Sequence, residues 1–210
     1  MIKNIGLSVR KAFALVATIT GFLAFSAAPA AAAVLLVDGN GQLTGATGVD
    51  VGGTLYDVTF VDGSGITVFD GCNEASDFAF SDQATAELAA QALLDQVFID
   101  GPAGNFDTDF SSIFGCGSPI FCDALVPFLT RGSSFDAIRA TNDEFEILDE
   151  ISLSDFINAQ GDFSQIDSSV FASFTEQSVS EVPLPAAAWV FLAGLGGLSA
   201  ARRKKRVAAK

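Results

Sequence analysis

The chain of 210 residues contains no histidine, and that single absence removes several chemistries at once. Without imidazole there is no Ser-His or Cys-His activation of a nucleophile, no zinc site of the usual kind, and no side chain poised to change charge near neutral pH. Positive charge is the next shortage. Between Val34 and Val182 all 25 Asp and Glu stand against Arg131 and Arg139 alone. Affinity for nucleic acid comes largely from Lys and Arg neutralising phosphates, so no nucleic-acid partner is expected. A phosphate loop is lacking too, because neither Gly52-Gly53 nor Gly63-Ser64-Gly65 is followed by Lys-Ser/Thr. What is abundant is apolar surface: 50% of residues are hydrophobic and only 17% charged, which excludes a disordered acidic tail.

The remaining cations sit at the two ends. Lys3, Arg10 and Lys11 precede an apolar run from Ala12 to Phe25 and a small-residue stretch from Ser26 to Ala33. Residues 1–33 therefore read as a secretory signal peptide, which implies passage through the Sec translocon and removal by signal peptidase. Several Ala-x-Ala frames overlap, so cleavage after any one of Ala30 to Ala33 fits. An uncleaved anchor is the alternative.

At the other end Val182-Pro183-Leu184-Pro185 leads into the apolar run Ala186 to Ala201, and then Arg202-Arg203-Lys204-Lys205-Arg206. As a helix the run reaches roughly 24 Å, a marginal membrane span. Leu184, Pro185 and snorkelling Arg and Lys side chains can lengthen it, with Trp189 as an interfacial anchor. The basic cluster should stay cytoplasmic, which puts the acidic body beyond the inner membrane. Two prolines two residues apart hold the chain extended just outside the membrane, the conformation a protease binds.

Residues 181–210 resemble the PEP-CTERM sorting signal in its VPLPA-CTERM form. The resemblance rests on Glu181 to Trp189 with the motif Val182, Pro183, Leu184, Pro185 and Ala186, on the apolar segment 186–201 containing Gly194, Gly196 and Gly197, and on the basic tail 202–210. It implies recognition by an exosortase, a membrane-embedded cysteine transpeptidase. It also implies residence in the inner membrane during sorting, and then a place on the cell surface or in the exopolysaccharide-rich extracellular matrix of a Gram-negative bacterium. The third motif position is Leu184 where the founding pattern has Glu, so the cut site is left open. A permanent anchor, making a membrane-held periplasmic protein, is the alternative.

The body, residues 34–180, holds 16 Phe and no visible repeat or long Pro-Ser linker, enough for one core. Leu55 to Val61 alternates with β-favouring types, and Asp62-Gly63-Ser64-Gly65 followed by Ile66 to Phe69 predicts a hairpin. Val34 to Val37 predicts a strand, closed by the turn Asp38 to Gly41. Ser81-Asp82 predicts the start of a helix to about Phe98, with Ala84, Leu88, Ala92 and Leu93 on one side and Gly101-Pro102 as its stop. Ala103 to Phe128 reads as a long ordered loop. Phe135 to Ala140, Phe145 to Leu148 and Val170 to Phe174 are strand candidates, and Leu153 to Ala159 a short helix capped by Ser152 or Ser154. The expected fold is α+β, a single exported domain with a mainly antiparallel sheet and one main helix, flanked by the signal peptide and the C-terminal transmembrane sorting helix.

Cys72, Cys116 and Cys122 lie in the exported body, where oxidation is expected. Three pairings are possible, each leaving one thiol over. The short loop favours Cys116 with Cys122, and the odd cysteine is either a buried thiol or an intermolecular bridge. Asn105, Asp107 and Asp109 place oxygens at every second residue, as calcium loops do. Yet Cys116 stands where the twelfth-place Glu is needed and no Gly occupies the sixth place, so a solvated acidic loop is the plainer reading. Asp143-Glu144-Phe145-Glu146 with Asp149-Glu150 forms an anionic patch able to gather divalent cations or a basic polysaccharide, though such a run is more often a solvated face that keeps an exported protein soluble. No carboxylate pairing needed for glycoside cleavage can be read from the sequence. The expectation is a non-enzymatic surface or matrix protein without a resident cofactor. A module binding calcium or carbohydrate is the other class, and a hydrolase of matrix polymers the third.

Overall fold

The computed structural model describes residues 32–143 and 149–178. Its centre is a seven-stranded sheet in the order β1-β2-β3-β9-β6-β7-β8. The strands are β1 (Val34–Val37), β2 (Leu43–Val51), β3 (Thr54–Val61), β6 (Phe121–Thr130), β7 (Ser134–Asp143), β8 (Glu150–Asn158) and β9 (Ser169–Glu176). Neighbours run antiparallel except β6 and β9, which pair in parallel over three residues. A separate ribbon, β4 (Asp100–Gly101) with β5 (Gly104–Asn105), turns around Pro102 and Ala103. One four-turn helix, α2 (Gln83–Gln96), one short turn, α1 (Gly65–Val68), and three 3-10 turns complete the regular structure of the described residues, so the architecture is α+β with a mostly antiparallel sheet and one main helix.

Hairpin β2–β3 turns through Gly52 and Gly53, both at positive φ (60° and 94°), which a two-residue turn of the primed type requires. Gly45 in β2 lies so close to the Val58 carbonyl that any Cβ would collide with it. Small residues from Thr44 to Gly48 thus permit the tight approach, and they also hide β2 from a search for alternating large apolar residues.

Helix α2 starts where Asp82 accepts the backbone N–H of Thr85 (2.9 Å) and the Thr85 hydroxyl (2.8 Å). Its buried stripe is Ala86, Ala89, Ala90, Ala92 and Leu93, while Ala84 and Leu88 face solvent, so the expected face is rotated. Alanine on nearly every turn blurs the periodicity, and packing against β2, β6 and β7 decides the orientation. The helix ends at Gln96, ahead of Gly101-Pro102.

Both faces of the sheet are covered. On one, α2 and Phe106, Phe110 and Ile113 pack against Val58, Phe60, Ala124, Val126, Ile138 and Ala172. On the other, Phe69, Cys72 and Phe78 pack against Leu125, Phe135, Ala137 and Phe171. β9 is where the two layers meet. Val170 and Ala172 face the helix side, and Phe171 the other, with its ring 5.3 Å from Phe69 and 4.6 Å from Phe163.

Three sequence expectations are corrected here. Ile66 to Phe69 is not the second arm of a hairpin but contains α1, because both edges of β3 are already taken, by β2 and by β9. The stretch Ala103 to Phe128 is not one loop, since β6 begins at Phe121. Pro127 is accommodated in β6 because parallel pairing with β9 ends at Leu125, beyond which that edge makes no ladder bond. Leu153 to Ala159 is not a helix, since Glu150–Asn158 is drawn onto the free edge of β7 and tertiary pairing overrides local preference. The candidate strand Phe145 to Leu148 lies outside the described residues.

If β9 organises the sheet, a chain ended after Ser168 is expected to lose cooperative melting by circular dichroism. One ended after Ser178 should melt within about 2 °C of the full chain. Phe171→Ala, in the full chain, is expected to cost about 3–5 kcal/mol in urea titration.

Candidate functional site

Asp62 follows directly on β3, and Asp162 lies in the loop after β8; an isolated bridge between Ser64 and Asp162 brings the two segments together. The Phe163 N–H donates to the Gly63 carbonyl at 2.9 Å and fixes that contact. Around it opens a shallow groove of about 550 Å³ lined by Asp62, Ser64, Thr67, Gln160, Asp162 and Ser164. The lining is hydroxyl, amide and carboxylate. Asp162 accepts the backbone N–H (3.1 Å) and the hydroxyl (2.7 Å) of Ser164, and Ser64 and Thr67 share a hydroxyl hydrogen bond of 2.8 Å. Asp62 is half-buried, and its Oδ1 has no hydrogen-bond partner. Burial first, and then the negative charge of Asp162, push its carboxyl above the usual range.

The two cations of the described residues are engaged elsewhere. Arg131 pairs with the buried Asp136 at 2.6 Å, and Arg139 stands 3.5 Å from Asp123 while donating to Ser154 at 3.2 Å. Asp123 also accepts the Thr141 hydroxyl at 2.7 Å. Burial raises its pKa, with Thr141 and Arg139 acting in the opposite direction. The body therefore presents acid and hydroxyl groups to a ligand, and its guanidinium groups are tied to buried carboxylates.

Of the calcium candidates Asn105, Asp107 and Asp109, the last has its carboxylate engaged locally, as has the nearby Asp100. Asn105 stands in β5 opposite Asp100, whose carboxylate accepts the backbone N–H groups of Asp107 (3.0 Å) and Thr108 (3.2 Å) and the Thr108 hydroxyl (2.8 Å). Asp109 accepts the hydroxyls of Ser111 (2.6 Å) and Ser112 (2.8 Å), which hold its pKa below the usual value. Among the described residues no three or more acidic or cysteine side chains gather in the manner of a metal site. The Asp62 groove was not singled out by sequence, because its two acids are a hundred residues apart and join only through the loop after β8.

Cys116 and Cys122 form a disulfide, with Cα atoms 5.7 Å apart. The loop they close rests on the segment before β9, where the N–H groups of Gly117 and Ser118 both donate to the Asp167 carbonyl (2.6 and 2.8 Å). Cys72 is a free thiol on the opposite face of the sheet, fully buried, with its pKa pushed up to about 11 by burial and then by Asp77. A thiol so placed cannot serve as an intermolecular bridge in the folded state.

Residues 1–31 of the expected signal peptide 1–33, the expected sorting motif Val182, Pro183, Leu184, Pro185 and Ala186, the expected span 186–201 and the cluster Arg202, Arg203, Lys204, Lys205 and Arg206 lie outside the described residues. Among the described residues no helix is long and apolar enough to cross a membrane.

Asp62 supplies a pH test. Its carboxyl is raised in the folded state above the ordinary 3.8, so its contribution favours folding when protonated and is lost as pH rises through the folded pKa. Asp62→Asn is therefore expected to raise the melting temperature by about 1–3 °C near pH 7, and to give no gain near pH 3. For the cysteines, the double change Cys116→Ser and Cys122→Ser is expected to cost about 2 kcal/mol in urea titration. Iodoacetamide should leave Cys72 unmodified until the protein is unfolded, as read by mass spectrometry. No protein-family model, no curated protein and no solved structure matches this chain.

Proposed function

We propose that this is an exported, non-enzymatic surface or matrix protein, held at the inner membrane by its C-terminal helix until an exosortase-type enzyme processes it. The observation that carries the reading is the three-part order of residues 181–210: Val182-Pro183-Leu184-Pro185, an uncharged apolar run, then five consecutive cations. The acidic body fits this role. With 25 acids against Arg131 and Arg139 it repels copies of itself, which keeps an exported protein soluble. The spacing of the fold and the motif fits as well. β9 ends at Glu176, and the Gln177 N–H still donates to the Leu55 carbonyl (2.8 Å), so only 178–181 separate the last anchored residue from Val182. A cut near the motif would leave every strand of the sheet in place.

Intact mass of the protein recovered from its host, with cells and medium fractionated separately, tests the reading. The expected species begins near Ala31 to Val34, ends near Val182 to Ala186, and is found on the surface or in the medium. A species that keeps Arg202 to Lys210 and stays in the inner membrane would make the protein a permanently anchored periplasmic one. Replacing Pro183 and Pro185 together by Ala is expected to accumulate the longer species.

A further inference from the structure

The edge strand β8 carries a bulge. Phe135 pairs with Ile157 and Ala137 with Ser154, so Asp155 and Phe156 together oppose Asp136. Phe156 adopts φ 55°, the left-handed region that a bulky side chain rarely occupies. The residue is 67% exposed, and it is the one aromatic among the large exposed apolar residues of the described chain. The backbone bond does not require a ring, because a glycine there would relax the backbone and expose none. Strain held in place by its surroundings points toward a role outside the fold.

The surroundings do hold it. Asp136, only 2% exposed, accepts the Phe156 backbone N–H at 3.1 Å and the Arg131 Nε at 2.6 Å. Arg131 then lies over the Phe156 ring, 4.9 Å from its centroid. One buried carboxylate thus fixes a guanidinium over one face of an aromatic ring, before any ligand arrives. Asp155 beside Phe156, and Asn158 and Ser133 two residues from Phe156 and from Arg131, are exposed and polar, while Ile157 is half-buried.

We propose that Phe156, braced on one face by Arg131, offers its other face as a stacking platform for a neutral pyranose ring of a polysaccharide. A lone ring amid polar groups suits a ligand with an apolar C–H face rimmed by hydroxyls, and does not suit the contiguous apolar patch of a protein interface. The guanidinium already over the ring disfavours a cationic ligand. The surplus of acids disfavours an anionic polymer and a second copy of the chain. The site stands independently of the sorting motif and of the Asp62 groove.

The test is affinity electrophoresis of the full chain in non-ionic detergent, through native gels containing dextran, amylose or galactomannan, with alginate as the acidic comparison. At least one neutral polymer is expected to retard the wild type, and alginate to leave it unretarded. Phe156→Gly should weaken that affinity about tenfold while the melting temperature holds or rises, and Phe156→Trp should keep it. The proposal is overturned if no neutral polymer retards the wild type, or if Phe156→Gly binds as well as the wild type. It is equally overturned if light scattering finds a dimer that Phe156→Gly dissociates, since the ring would then be a self-association surface. Sorting is read by mass and not by mobility, so either reading can fail while the other stands.

Discussion

The backbone ladders on the two sides of β9 are the constraint on which the rest of the molecule depends. One ladder joins β9 antiparallel to β3 from Tyr56 to Val61, and the other joins it in parallel to β6 from Asp123 to Leu125. Without β9 the N-terminal meander β1–β3 and the C-terminal set β6–β8 have no common strand. The side chains follow the same logic, because Val170, Ala172 and Phe171 reach both apolar layers. The disulfide loop of Cys116 and Cys122 meets the chain just before β9, at Asp167, and Asp123 at the start of the parallel pairing donates to the Ser168 carbonyl at 2.8 Å.

Charge is arranged around that frame with little to neutralise it. Many carboxylates bond to backbone N–H groups and hydroxyls near them in sequence, as Asp38, Asp82, Asp100 and Asp109 do. Such bonds stabilise the ionised form and set turns and caps without a cation. The two arginines are placed where carboxylates are buried, at Asp136 and Asp123, since a buried charge without a partner is costly. Asp62 is the exception, half-buried beside another acid and with an oxygen left unpaired.

Features written locally were legible in the sequence. Val34–Val37 and its turn, the start of α2 at Asp82, β3, the core of β7, and β9 each have residue types that suit their structure without help from elsewhere. Features decided by neighbours were not. β2 is made of small residues whose value lies in a close approach to β3, and β8 is a strand because β7 offers a free edge. Ile66 to Phe69 looked like a hairpin arm because its pattern is strand-like, but the edge it would need belongs to β9, more than a hundred residues away in the chain. The same holds for the sites: the Asp62 groove and the Phe156 platform are each assembled from separate segments, and Phe156 is displayed by a bulge that no local motif announces.

The place of β9 also sets an order of events. A ribosome delivers β1 to β8 before the strand that unites them, so Val58 must wait for Phe174 and Ala124 for Val170. Contacts of such long sequence separation are slow to form, because the closure entropy precedes the reward. The chain therefore lingers without a completed sheet until β9 itself has been made. If the chain is threaded through a membrane channel as proposed, that delay helps, since β9 acts as a latch that can shut only once β1 to β8 have gone before it.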